Sequence, residues 1–393
     1  MQSLSQSPTQ PAFVQNPYPF YERARAVGPF FHWTDYGITC TGNAAACNAI
    51  FRDRRFGREA PPDHAPDIPP ALAPFYAIEA HSMLELEPPR HTRLRGLVLR
   101  AFTSRRIAAL APEIATLSHD LIDRLPPGEF DLLPQFATQL PVIIIARLLG
   151  VPESMAPDLL AWSNAMVGMY QAGRSADIEA RACTAASDFA AFLLGYIDAR
   201  RHQPADDLIT HLIAAEQDGQ RLTTDELIST CILLLNAGHE ATVHTIGNGV
   251  KTLLQTATPQ AAFAQGAIHA TVEEILRFDP ALHMFTRWCY EPVDIMGHTF
   301  QRGDRVALLL AAANRDPEQW VNPATFIPAR PIKPHTSFGA GLHFCVGAPL
   351  ARLELQIALP ILFQRLPSLT LTERPAYADL YHFHGLESLM VRS

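Results

Sequence analysis

The decapeptide FGAGLHFCVG, residues 338–347, holds a single cysteine, Cys345, among three glycines. Glycines let the backbone turn tightly and pass close to a flat ligand, because they lack the Cβ that disfavours positive φ. A helical pattern from Ala348 to about Leu366 follows, with Pro349 near its first turn. The backbone N–H groups at a helix start favour a thiolate over a thiol. The decapeptide therefore predicts a loop that presents one thiolate to a metal.

Other ligands of such a loop fit less well. A zinc site normally needs four ligands, and neither a CxxC motif nor a second cysteine lies nearby in the sequence. A dinucleotide loop of the GxGxxG type would need a third glycine and a preceding βαβ strand, and it would leave Cys345 unexplained. A single thiolate is instead a ligand of haem iron. A glycine-rich surface loop with a chance cysteine stays the alternative if the other segments do not agree.

The decapeptide resembles the cysteine-ligand loop of the cytochromes P450, because it meets every fixed position of the pattern FGxGxHxCxG. The resemblance, to the bacterial soluble type, implies a haem b cofactor whose iron is bound by Cys345. It also implies a mainly α fold with a minor β region, in which a long distal helix crosses the haem and the cysteine loop precedes a C-terminal helix. By the same resemblance, the cofactor-binding residues of the loop are Phe338, Gly339, His343, Cys345 and Gly347.

The amino-acid composition limits the number of domains and the classes of function that the chain can have. The 393 residues are 48% hydrophobic, which allows one large domain or two or three smaller ones, and the resemblance implies a single domain, 1–393, with an extended segment at 1–20. The net charge of −8 argues against nucleic-acid binding. The apolar runs near 142–151 and 227–235 are shorter than the ~20 residues of a membrane span. Six scattered cysteines, four of them expected to be small buried hydrophobes, fit a reducing cytoplasm.

Two further segments bear basic residues that suit an anion. His91 and Arg95 are four residues apart after a Pro-Pro turn, so a helix would place them on one face. The residues alone leave a solvated basic face as an equal alternative. The P450 resemblance implies that both bind haem propionates, and it gives the same role to Arg287, which Phe285 and Trp288 flank.

The strongest helical segment begins with a capping box, Thr223 to Glu226, and runs to roughly Gln255. A glycine inside a helix costs ~1 kcal/mol relative to alanine, so Gly238 needs a reason, either a closely approaching flat ligand or helix packing. Residues 237–241 resemble the P450 distal pattern AGx(D/E)T, which favours the ligand. The resemblance implies that Ala237 contacts the cofactor, and it names the catalytic positions Gly238, Glu240, Ala241 and Thr242.

The distal segment departs from the family at Ala241, where a threonine usually organises proton delivery, a general-acid task that alanine cannot perform. Thr242 lies one place later, about 100° further round the helix. Three explanations stay open. A helix distortion turns Thr242 inward, or ordered water with Glu240 relays protons, or a substrate hydroxyl replaces the missing one. The last two together are favoured.

Apolar periodicity predicts mostly helix from about 107 to 254, with loops near 126–128 and 200–206, and short apolar runs predict a small sheet within 281–312. Glu274 and Arg277 resemble the family's ExxR pair, which with Arg330 would brace the cysteine loop. By resemblance, the tail around Phe383 closes on the pocket. The candidate substrate contacts are Met83, Leu84, Met166, Leu234, Ala241, His283, Phe285 and Leu386. His283 alone among them is expected more often as a solvated loop histidine than as a ligand.

The resemblance implies a monooxygenase that uses dioxygen and two electrons to hydroxylate or epoxidise a small to medium, mostly apolar molecule. The electrons would come from a separate ferredoxin and its ferredoxin reductase, docked through basic residues near Cys345 such as Arg105, Arg106 or Arg352. A monomer that binds neither nucleic acid nor membrane is expected. The alternatives are a P450 that uses peroxide or does not oxygenate, and a haem-thiolate binding or sensing protein.

Overall fold

The computed structural model describes residues 1–171, 174–216, 219–381 and 383–393, and most of these residues are helical. The α-helices, in chain order, are α1 (Pro11–Gln15), α2 (Tyr18–Ala26), α3 (Ala44–Arg52), α4 (Ala73–Glu79), α5 (Arg90–Ala101), α6 (Ser104–Ala109), α7 (Ala111–Asp123), α8 (Gln139–Leu149), α9 (Ala156–Val167), α10 (Ala176–His202), α11 (Leu208–Ala214), α12 (Thr224–Gln255), α13 (Ile268–Phe278), α14 (Leu310–Ala313) and α15 (Ala348–Arg365). A π-helical turn spans Leu133–Ala137, and short 3₁₀ turns join several helices.

The strands form three small sheets. They are β1 (Gln2–Leu4), β2 (Phe31–Trp33), β3 (Ile38–Thr41), β4 (Phe56–Gly57), β5 (Glu129–Asp131), β6 (Met284–Cys289), β7 (Val293–Ile295), β8 (His298–Phe300), β9 (Arg305–Leu309), β10 (Thr370–Leu371) and β11 (Met390–Arg392). The largest sheet has the order β1-β2-β3-β9-β6-β4, with the pairs β1·β2 and β3·β9 parallel. The others are β10-β11-β5 and the hairpin β7-β8.

The mainly helical architecture with a minor β region confirms the fold class that the sequence predicts. Strands form within 281–312 as expected, but β6 and β9 belong to the largest sheet and β7 and β8 form a separate hairpin. The loop expected near 126–128 lies between α7 and β5, and the one expected at 200–206 begins only after His202, where α10 ends. The extended segment expected for 1–20 is wrong, because α1 occupies Pro11–Gln15 and α2 begins at Tyr18. Phe13 of α1 packs against the rings of Phe20, Tyr21 and Trp33, and this aromatic contact holds the segment in a helix.

Helix α12 follows the prediction closely. The Thr223 hydroxyl accepts a hydrogen bond from the Glu226 N–H at 3.2 Å, and the Glu226 carboxylate accepts one from the Thr223 N–H at 3.0 Å. This capping box satisfies two backbone donors that a helix start otherwise leaves open. The 32 residues of α12 give a rod of ~48 Å at ~1.5 Å per residue. It crosses the main core and packs against α8, α9, α10, α13 and α15.

Three apolar cores support this frame. The largest lies among the helices, a second joins α3 to the major sheet, and a third is the aromatic N-terminal cluster. The five cysteines other than Cys345 are all buried, one more than expected, and all six are free thiols. Within the described residues, the helices are too short or too polar to cross a membrane.

Candidate active site

The Cys345 loop is shaped by backbone hydrogen bonds and two left-handed glycines. The Cys345 N–H donates to the Phe338 carbonyl at 3.0 Å, which closes the loop ahead of α15. Gly339 and Gly341 have φ of 65° and 69°, and a Cβ at Gly341 would collide with the carbonyl oxygen of Phe51. A β-carbon is therefore excluded at position 341 by both conformation and space.

Gly347 differs from the sequence expectation, because its φ of −77° is one that any residue adopts. Its N–H and that of Ala348 point at the Cys345 sulfur, where they favour the charged thiolate. Burial raises the pKa of the Cys345 thiol, and these two N–H groups, with the charges of Arg95 and Arg352, oppose that rise. Binding to a metal ion would complete the deprotonation.

Helix α5 places the predicted pair beside the loop. His91 is buried, and its ring centroid lies 4.3 Å from that of His343, whose Nε2 is 2.8 Å from a carboxylate oxygen of Glu87. The Arg95 guanidinium donates to the Phe344 carbonyl at 2.6 Å. Burial, and then the charges of His343 and Arg95, lower the pKa of His91 to about 4, so its ring is neutral at pH 7. A solvated basic face is therefore wrong for His91.

Arg287 lies in β6, two residues after Phe285, whose ring lies close to Gly339 of the loop. Its guanidinium is buried, stands 5.0 Å from the centre of the Phe51 ring and donates to its neighbour's carbonyl, that of Thr286, at 2.8 Å. No carboxylate of the described residues lies within ion-pair distance of it. Burial lowers its pKa to about 9. A buried cation without a carboxylate partner suits an anionic ligand, because an uncompensated buried charge is costly.

These features agree with a haem. Among the described residues, the Nδ1 atom of His91 is buried without a hydrogen-bond partner. The Arg95 and Arg287 guanidiniums are two further groups that can bind an anion, and the loop carries one thiol. This donor set fits an iron porphyrin with acidic side groups.

The ExxR residues form a buried network with the third arginine. Glu274 and Arg277 share two hydrogen bonds of 2.7 and 2.8 Å, and Arg330 donates to both carboxylate oxygens at 3.1 and 3.0 Å. The Ile327 N–H, at a position where the family often has aspartate, donates to the same carboxylate at 2.9 Å. Arg277 also donates to the carbonyl of Asn314, whose side chain bonds Ser337 and Thr336 ahead of the cysteine loop. The structure thus brings together the residues proposed to brace that loop.

The distal helix packs closely at Gly238. A Cβ there would lie 3.2 Å from Cγ1 of Ile145 in α8, so helix packing is one reason for this glycine. Ala237 is exposed although most of α12 is buried. Leu233 and Ala241, four residues before and after it, are half-buried on the same stripe.

Thr242 does not replace the missing hydroxyl. Helix α12 is continuous, so the proposed distortion is absent, and Thr242 is buried with its hydroxyl donating to the Gly238 carbonyl at 3.3 Å. The neighbouring Thr245 hydroxyl likewise donates to the Ala241 carbonyl at 2.7 Å. Both hydroxyls are thus engaged with the helix backbone. The explanations that survive are a water relay with Glu240 and a substrate hydroxyl.

Glu240 has two histidine partners that the sequence reasoning missed. Its carboxylate oxygens lie 3.4 Å from Nε2 of His239 and 3.3 Å from Nε2 of His244. Burial would raise the pKa of Glu240, but hydrogen bonds and charge from both histidines lower it to about 2. The i,i+4 spacing of Glu240 and His244 was a usable signal for this pair.

The candidate substrate contacts are mostly buried apolar side chains. Met83, Met166, Leu234 and Leu386 are buried, while Leu84, Ala241 and Phe285 are half-buried. The tail hairpin reaches α12, because a Cβ at Gly247 would lie 3.8 Å from Leu386. His283 is buried, so the expected solvated loop histidine is wrong. Its Nδ1 is 2.8 Å from the Tyr21 hydroxyl.

A second buried cluster could be mistaken for a metal site. Asp279, His283 and His384 offer ligand atoms within 4.8 Å of one another. However, the Asp279 carboxylate already accepts hydrogen bonds from the Lys251 ammonium at 2.8 Å and from the Tyr18 hydroxyl at 2.9 Å. The lysine charge would repel a cation there. We therefore interpret the cluster as a buried ion pair that ties α12 to the tail.

Comparisons with known proteins agree with this geometry. A sequence model described as "Cytochrome P450" matches residues 267–375. The chain is 37% identical to "Cytochrome P450 monooxygenase PikC" of Streptomyces venezuelae, over 97% of this chain and 92% of that protein. It is 35% identical to "Biotin biosynthesis cytochrome P450" of Bacillus subtilis, over 99% of each. A crystal structure of P450BioI in complex with an acyl carrier protein bearing hexadec-9Z-enoic acid superposes with a TM-score of 0.92 at 35% identity, over 97% of this chain and 99% of that chain.

Proposed function

The chain belongs to the cytochrome P450 family of haem-thiolate monooxygenases, and we propose that it inserts one oxygen atom of O₂ into a small to medium, mostly apolar organic molecule. The candidate substrate contacts carry this proposal, because apart from His283 they are hydrocarbon or thioether side chains. Apolar side chains of this kind bind a substrate by burying its apolar surface, and the candidate contacts include few polar groups that could orient the substrate. A substrate with one or two polar groups therefore fits best.

Residues of this chain would bind the haem and deliver protons to the substrate pocket. Cys345 would bind the iron, and His91, Arg95 and Arg287 would bind the propionates; the haem supplies oxygen activation when bound. Glu240 would supply protons through ordered water, because the Thr242 hydroxyl is committed to the Gly238 carbonyl. A hydroxyl on the substrate would complete the relay beside Ala241.

We further propose that the electrons come from a separate ferredoxin and its reductase. Arg105 is exposed, and among the described residues no carboxylate pairs with it, so it stays available for an acidic partner. Arg106 already pairs with Asp206 at 3.3 Å, and Arg352 pairs with Glu273 at 2.6 Å, which makes both less available. The six free thiols suit a reducing compartment, and we expect a cytoplasmic monomer.

A carrier-bound substrate is a second candidate. The similarity to the P450BioI structure extends over nearly the whole of both chains, and that protein was solved with an acyl carrier protein. A long acyl chain would suit the apolar contacts described above. Turnover of a hexadecenoyl carrier protein that clearly exceeds turnover of the free fatty acid would favour this candidate.

The test is an optical titration of the purified ferric protein, followed by turnover. A panel of terpenoid, fatty-acid, aromatic and polyketide compounds is added while the Soret band is followed for a shift to high spin. Binders are then incubated with a surrogate ferredoxin, reductase and NADPH, or with hydrogen peroxide alone. Oxygenated product that depends on electrons supports the proposal. Product that forms faster with peroxide, or spin shifts without any product, would favour the peroxide-using or sensing alternatives.

A further inference from the structure

A cavity of about 360 Å³ adjoins the flank of α12 that carries Glu240. Its wall includes His239, Glu240 and His244 of α12, together with the carboxylates of Asp131 and Glu387. This lining is polar enough to hold ordered water, which needs two to four hydrogen-bond partners. The cavity therefore brings water to the one acid that the distal segment offers beside Ala241.

The position of one proton follows from His239. Its Nδ1 lies 2.8 Å from the Leu235 carbonyl, and because a carbonyl only accepts, Nδ1 must carry a hydrogen. Its Nε2 is buried, faces Glu240 at 3.4 Å and has no other partner among the described residues. With Nδ1 engaged by the backbone, Nε2 is the ring atom that faces the carboxylate, and a proton between these two atoms would join them.

Of the two histidines, His244 is the more open to the cavity. Its side chain is 14% exposed and that of His239 is 1% exposed, while Glu240 between them is 16% exposed. The Nε2 of His244 faces the second oxygen of Glu240. The ring also packs on the tail, because a Cβ at Gly385 would collide with it. The other titratable groups that face it are His384 of the tail and, across the cavity, Asp131 and Glu387. Position 385 must therefore be glycine for His244 to keep this place.

We propose that His244 transfers protons from the cavity water to Glu240, that His239 is a positioning residue which holds the acid, and that the three together replace the hydroxyl absent at Ala241. This rests on the monooxygenase function proposed above. Each turnover places one atom of O₂ in the substrate and the other in water, which consumes two electrons from the ferredoxin and two protons. For each proton, the N–H bond at Nε2 of His244 breaks and an O–H bond forms on Glu240. Glu240 then gives that proton to the ordered water beside Ala241 and is ionised again, and His244 is protonated again from the cavity water.

The test compares His244→Gln with His211→Gln. A glutamine can still donate a hydrogen bond to Glu240 but cannot exchange protons at neutral pH. His211 is the matched control, because it stands 3.0 Å from the Asp206 carboxylate on the surface. We expect His244→Gln to lower the electron-driven rate by about tenfold or more, while the peroxide-driven rate stays within about twofold, since peroxide brings its own protons.

Other results would overturn the relay. An unchanged electron-driven rate in His244→Gln would do so, and so would an equal fall of both rates together with weaker substrate binding, since that marks a structural role. Gly385→Ala, which displaces the His244 ring, provides a second variant and should reproduce the loss of the electron-driven rate. In both variants the ferrous carbon monoxide spectrum shows whether the haem site has survived.

A measurement without turnover separates this inference from the proposed function. In ¹⁵N-histidine-labelled ferrous carbon monoxide protein, which is diamagnetic, we expect Nδ1 of His239 to carry a proton, because it faces the Leu235 carbonyl. A neutral His239 protonated on Nε2 in the unmodified protein would overturn the arrangement, even if monooxygenase activity were found. Absent turnover with the expected ¹⁵N shifts would count against the proposed function alone.

Discussion

The Cys345 loop and the central segment of α12 hold their functional groups in different ways. Around the loop, backbone N–H groups, the glycine conformations and the Glu274 network place the thiol, and the motif matches the family at every fixed position. In α12 the backbone is a regular helix, and the side chains around Glu240 differ from the family pattern. A sequence motif predicts the backbone geometry of the loop, because the residues involved are neighbours in the chain. A path for protons depends on side chains that come together only through tertiary packing.

The carboxyl groups of Glu240 and Glu354 differ in charge at pH 7, because their partners differ. Glu240 is held by two histidines, and its pKa falls to about 2 despite burial. Glu354 of α15 is buried, and both of its carboxylate oxygens lack a partner among the described residues, so burial raises its pKa to about 8. Partners, and not burial alone, therefore decide which of the two carboxyl groups is ionised at pH 7.

The largest effect is expected at the thiol. Cys345→Ala removes the thiolate on which the cofactor depends, so monooxygenase activity should fall to background and the thiolate signature of the ferrous carbon monoxide spectrum should vanish. Cys183→Ala, at a buried free thiol of α10, is the control and should retain both. A thiolate spectrum in Cys345→Ala would show that another cysteine binds the iron.

The Glu274 network should be the most sensitive to mutation among the ion pairs. Glu274→Gln leaves Arg277 and Arg330 buried without a counter-charge, which should cost about 3–5 kcal/mol of unfolding free energy and lower haem retention. Asp198→Asn breaks an exposed arginine pair with the same i,i+3 spacing and should cost less than about 1 kcal/mol. Urea unfolding of both variants measures the difference. Equal losses would mean that the network does not brace the loop.

Glu354 should make stability depend on pH. Because its folded pKa is raised, its contribution is fully present below the unfolded value near 4.5 and is lost as pH rises towards about 8. We therefore expect wild-type stability to fall across this window by up to about 1.4 kcal/mol per pH unit relative to Glu354→Gln, which cannot ionise. Chemical unfolding at several pH values tests this. Parallel curves for the two proteins would show that Glu354 is ionised without penalty.

Ala241→Thr restores the hydroxyl usual in the family. If Glu240 and its histidines already deliver protons, the fraction of electrons lost as peroxide should change by less than about tenfold, well below the 10²–10⁴ that a positioned acid contributes. Peroxide and product are measured per NADPH consumed. A much larger gain in coupling would indicate that the wild-type chain lacks a working relay with that substrate.

Gly238 should show the smallest effect. Alanine favours a helix by ~1 kcal/mol over glycine, but at position 238 its Cβ would press on Ile145. Gly195→Ala in α10 meets no atom within 4 Å and should keep the full gain. Thermal unfolding should therefore rank Gly195→Ala above Gly238→Ala. The reverse order would show that Ile145 moves aside freely.

The sequence predicts α12 and α15 well, because a capping box, a proline near the first turn and long apolar periodicity are local signals. It does not predict the N-terminal strands of the major sheet, since β2 to β4 are only two to four residues long. Two of them also depend on distant partners, because β3 pairs with β9 and β4 pairs with β6. The sequence also predicts the wrong burial for His283, because the residue lies in a segment with a loop-like pattern and is therefore expected to be exposed. The Tyr21 hydroxyl, 262 residues earlier in the chain, makes its burial possible.

By itself, the sequence determined the cysteine loop, the family and the long distal helix, because each depends on residues close together in the chain. Tertiary structure alone decided that Gly238 packs against Ile145 and that Glu240 lines a cavity between two histidines. It also showed that the Thr242 hydroxyl is bonded to the Gly238 carbonyl. The reason is that packing joins groups which no local pattern relates. The tail's Gly385 is 141 positions from His244, and the ring of His244 stands where a side chain at Gly385 would have to be.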